Sequence, residues 1–296
     1  MDTTPRRVEH QQTDKGHVPV YTTAVIEQPW DSYGADDHAT WGTLYQRQRE
    51  LLVGRACTEF LQAQDEMGMS PHAIPRFDQL NEVLGAATGW TLVGVEGLLP
   101  ELDFFDHLAH RRFPVTWWIR RPEQIDYIAE PDLFHDLFGH VPLLMNPVFA
   151  DYMEAYGRGG VKAHGIGADA LQNLTRLYWY TVEFGLIDTP EGLRIYGAGI
   201  VSSKGESLHS LESAAPNRVG FDLARIMRTR YRIDTFQKTY FVIDSFEQLM
   251  QATAPDFTPI YAALAHQPTL AAGEVQPQDR VFQRGNGEGW ASDGDV

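Results

Sequence analysis

The chain has 296 residues, of which 43% are hydrophobic, 11% aromatic and 22% charged, a composition suited to one large globular domain with no run apolar enough to span a membrane. A formal net charge of −16 argues against nucleic acid or an anionic membrane surface as partner, because both need clustered Lys and Arg. The single cysteine, Cys57, rules out an internal disulfide and a Cys-rich zinc site, and points to a reducing compartment, the cytoplasm.

Residues 1–36 are polar, with scattered Pro and Gly and no sustained periodicity, and read as a flexible N-terminal segment. From Asp36-Asp37, which can cap a helix, Trp41, Leu44, Tyr45, Leu51 and Leu52 recur at helical spacing. Two more helices are predicted over 56–67 and 77–87, the second closed by Gly89. Residues 90–95 read as a strand, Gly97-Leu98-Leu99-Pro100 as a loop and 103–110 as a short helix. Residues 113–119 read as a second strand, and Pro114 places it at a sheet edge. Helices are predicted over 146–156 and 169–185, separated by the Gly-rich run 157–167. Residues 193–196 and 240–243 read as strands, and 202–212 and 218–228 as helices. Residues 244–265 form a long helical pattern interrupted near Pro255 and Pro259, and 268–296 read as a polar C-terminal tail. The sum is a mainly α chain with a small β component and no βαβ alternation.

The chemistry concentrates in Glu130-Pro131-Asp132-Leu133-Phe134-His135-Asp136-Leu137-Phe138-Gly139-His140-Val141-Pro142. Two imidazoles and nearby carboxylates sit among Leu and Phe, which is costly unless something binds them. His135 and His140 are five residues apart, about 500° on a regular helix, so their side chains would diverge by roughly 140°. Both can meet one ion only if the helix ends between them, and Gly139 and Pro142 supply that ending. With 11 histidines in the chain, the spacing alone is weak evidence. The third residue is Glu183, the one carboxylate in the apolar run Tyr178-Trp179-Tyr180-Thr181-Val182-Glu183-Phe184. Two His and one carboxylate make the facial triad of non-haem Fe(II), and also a ligand set of zinc hydrolases. A buried ion pair of Glu183 with Arg176 or Arg194 is the plainer alternative. His107 and His110 beside Asp103 and Asp106 read instead as a solvated amphipathic helix. Ser202, Ser203 and Ser207 near His209 lack a nucleophile elbow, and no dinucleotide or P-loop fingerprint occurs.

Assembled, these residues resemble the pterin-dependent aromatic amino acid hydroxylases. The resemblance runs over about 41–265 and rests on 130–142, on Tyr178-Trp179 through Phe184-Gly185, and on Tyr196-Gly197-Ala198-Gly199 through Ser202-Ser203. It implies a single catalytic domain over 37–267, a helical basket around a non-haem iron site, using Fe(II), O2 and tetrahydrobiopterin or a related tetrahydropterin as cosubstrate. It implies His135, His140 and Glu183 as iron ligands and catalytic centre. It implies Gly97, Leu98, Leu99, Phe104, Asp136 and Tyr178 as the pterin surface, with Phe104 stacking on the pterin ring. Asp136 stands where the family usually has Glu. Arg120 is implied to grip the substrate carboxylate, with Pro131, Trp179, Phe184, Gly199 and Ser202 in the substrate pocket. Ile128 stands where the family pattern has Thr.

Trp179 resembles the phenylalanine and tyrosine enzymes of the family more than the tryptophan ones, and Val242 is placed where the tyrosine enzymes carry Asp. The expected substrate is therefore L-phenylalanine, hydroxylated to L-tyrosine. The zinc hydrolase and a tyrosine or tryptophan hydroxylase are the alternatives. The animal enzymes' regulatory and tetramerisation segments find no counterpart, so a monomer is expected, with pterin-recycling enzymes acting downstream.

Overall fold

The computed structural model describes residues 23–128 and 130–290. The first 22 residues of the segment expected to be flexible, and 291–296 of the expected tail, lie outside the described residues.

In chain order, β1 is Val25–Ile26, α1 Ala35–Leu52, α2 Thr58–Glu66, α3 Phe77–Thr88, β2 Thr91–Val95, α4 Glu101–Ala109 and β3 Arg112–Thr116. After a π-helical segment, His135–His140, come α5 Pro147–Ile166 and α6 Ala168–Tyr178. A second π-helical segment, Trp179–Glu183, leads to β4 Leu186–Thr189 and β5 Gly192–Ile195. The chain ends through α7 Ala198–Val201, α8 Lys204–Glu212, β6 Asn217–Gly220, α9 Leu223–Arg228, β7 Thr239–Ile243, α10 Phe246–Thr253, α11 Thr258–Leu264 and β8 Val281–Gln283. Helices dominate, as the sequence predicts. One continuous apolar core runs from Trp41 on α1 to Leu264 on α11. No helix among the described residues is long and apolar enough to cross a membrane.

Polar side chains start the helices that carry the core. Asp37 accepts the Gly34 N–H at the start of α1, and Asn146 accepts the Val148 and Phe149 N–H groups at the start of α5, where Pro147 needs no partner. The three-stranded sheet runs β1-β2-β3, with β3 at an edge as Pro114 requires. The five-stranded sheet runs β5-β4-β7-β6-β8.

Four expectations are corrected. The chain does contain βαβ units: β2 and β3 are parallel with α4 between them, and so are β6 and β7 with α9 between them. Residues 218–228 are not one helix. Residues 217–220 pair on both sides as β6, and the helix starts only after Asp222 caps it by accepting the Arg225 N–H. The sheet overrides local propensity there. The segment beyond 268 is built into the body. Leu270 and Ala272 are buried, β8 pairs with β6, and Arg225 forms an ion pair with Asp279 with both side chains almost fully covered. Finally, 157–167 does not separate two helices, because α5 continues through to Ile166.

Gly157 and Gly160 are contact surfaces rather than breaks. A Cβ at Gly157 would collide with the Ala109 nitrogen, and one at Gly160 with the Phe105 ring, so their bare backbone lets α5 lie against α4. Gly159 faces open space. Gly160→Ala is therefore expected to cost about 1–3 kcal/mol by overpacking. Gly159→Ala is expected to gain up to about 1 kcal/mol from helix propensity. Denaturant unfolding of the two variants checks the opposite signs.

Candidate metal centre and substrate cavity

Asp132 starts the segment that carries both histidines. Its Oδ1 accepts the His135 N–H at 3.0 Å and its backbone carbonyl accepts the Asp136 N–H. The helix then widens instead of ending. Residues 135–140 adopt π geometry, and the backbone stays helical through Val141. In a π-helix the hydrogen bond runs from i to i+5, so residues five apart stand one above the other. The geometric problem posed by the spacing is solved by a wider turn, and the expected helix end at Gly139 is not there. Gly139 packs against α7 instead, where a Cβ would approach the Ala198 carbonyl to 2.9 Å.

The result is two facing ring nitrogens. His135 Nε2 and His140 Nε2 are 3.0 Å apart, with the rings at 84°. Glu183 comes from the second π segment, closed by the Phe184 N–H bonding to the Trp179 carbonyl at 2.9 Å. Its Oε1 is 3.2 Å from His140 Nε2 and its Oε2 is 3.7 Å from His135 Nε2. Arg176 bonds to Asn173 and the Met227 carbonyl, and Arg194 to the Leu193 carbonyl, so neither forms the alternative ion pair with Glu183. Adjacent ligands of an ion with bonds of about 2.1 Å at right angles lie roughly 3 Å apart, so this donor set fits a metal ion.

Hydrogen bonding sets the tautomer of His135. The Ser202 hydroxyl donates to the Ala198 carbonyl at 2.7 Å, so at 3.0 Å it accepts from Nδ1–H of His135. That leaves the Nε2 lone pair facing Glu183 and His140. The His140 ring lies between Phe113 and Tyr178, and its Nδ1 is buried without a partner among the described residues.

The charges follow from burial and proximity. Burial pushes His135 down to about 4, only partly opposed by Glu183. Burial also lowers His140, but the Glu183 carboxylate outweighs it and holds this imidazole above its ordinary value. For Glu183 burial acts upward and the two imidazoles outweigh it, keeping the carboxyl below its usual range. The site thus keeps a carboxylate and at least one neutral ring, the forms a cation needs. Asp136 lies close by, with ligand atoms of His135, Asp136 and His140 all within 4.8 Å of one another. Its Oδ2 is held by the Thr116 N–H at 2.7 Å, and burial raises it to about 7. Glu183, not Asp136, is the carboxylate aimed at both Nε2 atoms.

A cavity of 930 Å³ opens over His135 and Glu183. All six residues expected around the substrate line it: Arg120, Pro131, Trp179, Phe184, Gly199 and Ser202. Ile128 lines it too. Arg120 is buried and forks onto Asp132, with Nε and Nη2 each 2.8 Å from a carboxylate oxygen, leaving Nη1 as the nitrogen Asp132 does not engage. Burial acts to raise Asp132, and Arg120 outweighs it and keeps Asp132 ionised.

The residues expected on the pterin side do not line this cavity. Phe104 and Tyr178 meet edge to face at 5.7 Å, Tyr178 lies roughly parallel to His140 at 6.2 Å, and 97–99 directly precede α4, which carries Phe104. Val242 does not reach the cavity. Val242 is buried in β7, opposite Leu186 and Gly220, and Ile233 lines the cavity instead. Three further residues around the cavity, Tyr231, Gln237 and Glu206, have no counterpart among the sequence expectations, and His209, weighed only beside Ser202, Ser203 and Ser207, joins them. Tyr231 stacks on Trp179, and Gln237, His209 and Glu206 line the cavity. Only Glu206, a carboxylate on an otherwise uncharged helix face beside Ser207 and Ser210, carried a local signal. His107 and His110 stay with Arg112 and Asp106 in a surface cluster.

The sequence pattern of the biopterin-dependent aromatic amino acid hydroxylases matches residues 24–259. The chain belongs to this family. Among curated hydroxylase relatives, the phenylalanine-4-hydroxylase of Ralstonia nicotianae is 66% identical over 271 residues, covering 92% of this chain and 86% of its own length. That of Chromobacterium violaceum is 64% identical, covering 92% and 91%. A crystal structure of the C. violaceum phenylalanine hydroxylase with iron and phenylalanine bound superposes with a TM-score of 0.84 at 62% identity, covering 90% of this chain and 97% of that one. Another, with bound Fe(III), gives 0.85 at 65% identity, covering 88% and 94%. The zinc-hydrolase alternative and the tyrosine or tryptophan hydroxylase alternative are not favoured by these relatives.

Two outcomes are expected. Ser202→Ala, which removes the acceptor of His135 Nδ1–H, should weaken metal affinity about tenfold or more without unfolding the chain, read by metal titration. Glu206 accepts Tyr240 O–H, and burial pushes its carboxyl from 4.5 up to about 7. A raised carboxyl contributes stability that is fully present below its unfolded value and is lost as pH rises through the folded one. Relative to Glu206→Gln, the native chain should therefore lose stability between about pH 4.5 and pH 7, in total on the order of 3 kcal/mol. Urea unfolding of both forms across that range checks the sign.

Proposed function

We propose that this chain is a phenylalanine 4-monooxygenase: it converts L-phenylalanine and O2 to L-tyrosine and water while a tetrahydropterin is oxidised by two electrons. His135, His140 and Glu183 hold iron(II) in this reading. The single observation that carries it is the convergence of those three side chains, 3.0–3.7 Å apart, at an aromatic-walled cavity. The iron- and phenylalanine-bound structure of the C. violaceum relative supports it.

Iron and reduced pterin, when bound, supply the redox chemistry of O2. The chain's own residues supply position and exclusion of water. Trp179, Phe184 and Pro131 receive the substrate ring. Arg120, oriented by Asp132, presents its remaining nitrogen to the substrate carboxylate. Gly199 and Ser202 complete the pocket next to His135. Phe104, Tyr178, Asp136 and 97–99 form the pterin surface, where Phe104 offers a flat apolar face to a heteroaromatic ring. A monomer in the cytoplasm, served by enzymes that recycle the oxidised pterin, completes the reading, and the single buried thiol agrees with a reducing compartment.

The deciding assay offers phenylalanine, tyrosine and tryptophan separately with Fe(II) and tetrahydropterin. Tyrosine formed from phenylalanine, dependent on iron and pterin, is the expected result. Equal turnover with zinc and no pterin would sink the reading. Arg120→Lys keeps the charge but loses the fork, and should raise KM for phenylalanine about tenfold or more.

A further inference from the structure

We propose that Gln237 is the positioning residue that sets the Trp179 indole as a wall of the substrate cavity. Gln237 lies between α9 and β7, far in sequence from the metal ligands, and is only 3% exposed. Every polar atom of its side chain is engaged. Its Oε1 accepts the Trp179 Nε1–H at 2.9 Å, and its Nε2 donates to the Arg232 and Thr235 carbonyls at 2.9 and 3.3 Å. The amide orientation is forced, because an indole can only donate and the two carbonyls can only accept.

The rings around Trp179 leave one degree of freedom for this bond to remove. Tyr231 stacks on the indole at 4.4 Å and 17°, and Phe184 packs on it at 4.6 Å and 36°. Such contacts hold the tilt of the ring plane but scarcely resist rotation within it. A directional N–H···O bond does resist it. Gln237 is itself anchored: its backbone N–H donates to Glu206 Oε1 at 3.3 Å, and the same oxygen accepts Tyr240 O–H at 2.5 Å. The indole is thereby referred to α8 and β7, two elements outside its own helix.

Trp179 also belongs to the π turn that ends at Glu183, and its carbonyl accepts the Phe184 N–H that closes that turn. The ring wall and the metal ligand share one turn of backbone, so the orientation of the indole fixes where a substrate ring lies relative to the metal. This rests on the hydroxylase reading above. The consequence is substrate alignment: with a displaced ring, O2 still takes two electrons and two protons from the pterin and leaves as hydrogen peroxide, and no tyrosine is formed.

The test is a double-mutant cycle on the iron-loaded chain with Gln237→Leu and Trp179→Phe, which deletes the indole N–H and keeps an aromatic ring. Gln237→Leu is expected to raise KM for phenylalanine about tenfold and to lower tyrosine formed per pterin oxidised, with kcat for pterin oxidation changed less. In the Trp179→Phe background the same substitution should change KM less than about twofold. Full multiplication of the two effects, or an unchanged KM and product ratio in Gln237→Leu, overturns the proposal. A readout without turnover separates it from the hydroxylase reading. In protein labelled with ¹⁵N at its seven tryptophans, the indole N–H signal assigned through Trp179→Phe should exchange slowly with solvent, and should shift and exchange faster in Gln237→Leu. An unshifted signal overturns the positioning role whatever the substrate proves to be. Loss of all phenylalanine turnover in the native chain, with the shift retained, overturns only the reaction.

Discussion

Two turns of π-helix are what the site depends on. An α-helix would leave His135 and His140 on diverging faces, roughly 140° apart. The i→i+5 backbone bond stacks them and puts their Nε2 atoms 3.0 Å apart. The second widened turn, at 179–183, delivers Glu183 and Trp179 together. A helix gives up regular geometry in each case, and the surroundings hold it there. Asp132 caps the first segment, and Gly139 lets the Ala198 carbonyl lie against it. Tyr231, Phe184 and Gln237 surround the second.

Asp132 joins the metal side to the cavity side. One fully buried carboxylate accepts the His135 N–H, the Arg120 N–H and two guanidinium nitrogens. A buried ion pair adds little net stability, but removing one partner strands a charge in an apolar interior. The pair is better understood as a device for geometry, since it fixes Arg120 relative to the turn that presents His135. Ser202 repeats the arrangement, with one hydroxyl setting the His135 tautomer from a helix that also borders the cavity. Arg120 and His135 thus share Asp132 as a common acceptor, and Ser202 bonds His135 directly.

The chain's last third encloses the cavity. The segment 229–238 lines it with Ile233 and Gln237 and backs Trp179 with Tyr231, and 288–290 reach the same cavity after β8 has joined the sheet. Asn217 helps fold that end back, donating to the Gly273 carbonyl and accepting the Gly285 N–H. Polar composition made this stretch look like a tail. The fastenings that tie it to the body, β8 on β6, Arg225 on Asp279 and Asn217 on 273 and 285, join residues more than 50 positions apart, so no local pattern announces them.

The chain's own sequence determined the donor types of the candidate site, because imidazoles and a carboxylate inside apolar runs need a partner wherever the runs end up. It also determined the helical majority, the strands at 91–95 and 239–243 and the edge position of β3, all of which follow from periodicity and from the missing N–H of Pro114. Tertiary structure alone decided the widened turns, since periodicity cannot tell a helix that ends at Gly139 from one that swells there. It alone decided that Gly139, Gly157 and Gly160 are contact points, because what a missing side chain makes room for lies on another element. It put Ile233, and not Val242, at the cavity, and brought Gln237 into a hydrogen bond with an indole 58 residues away.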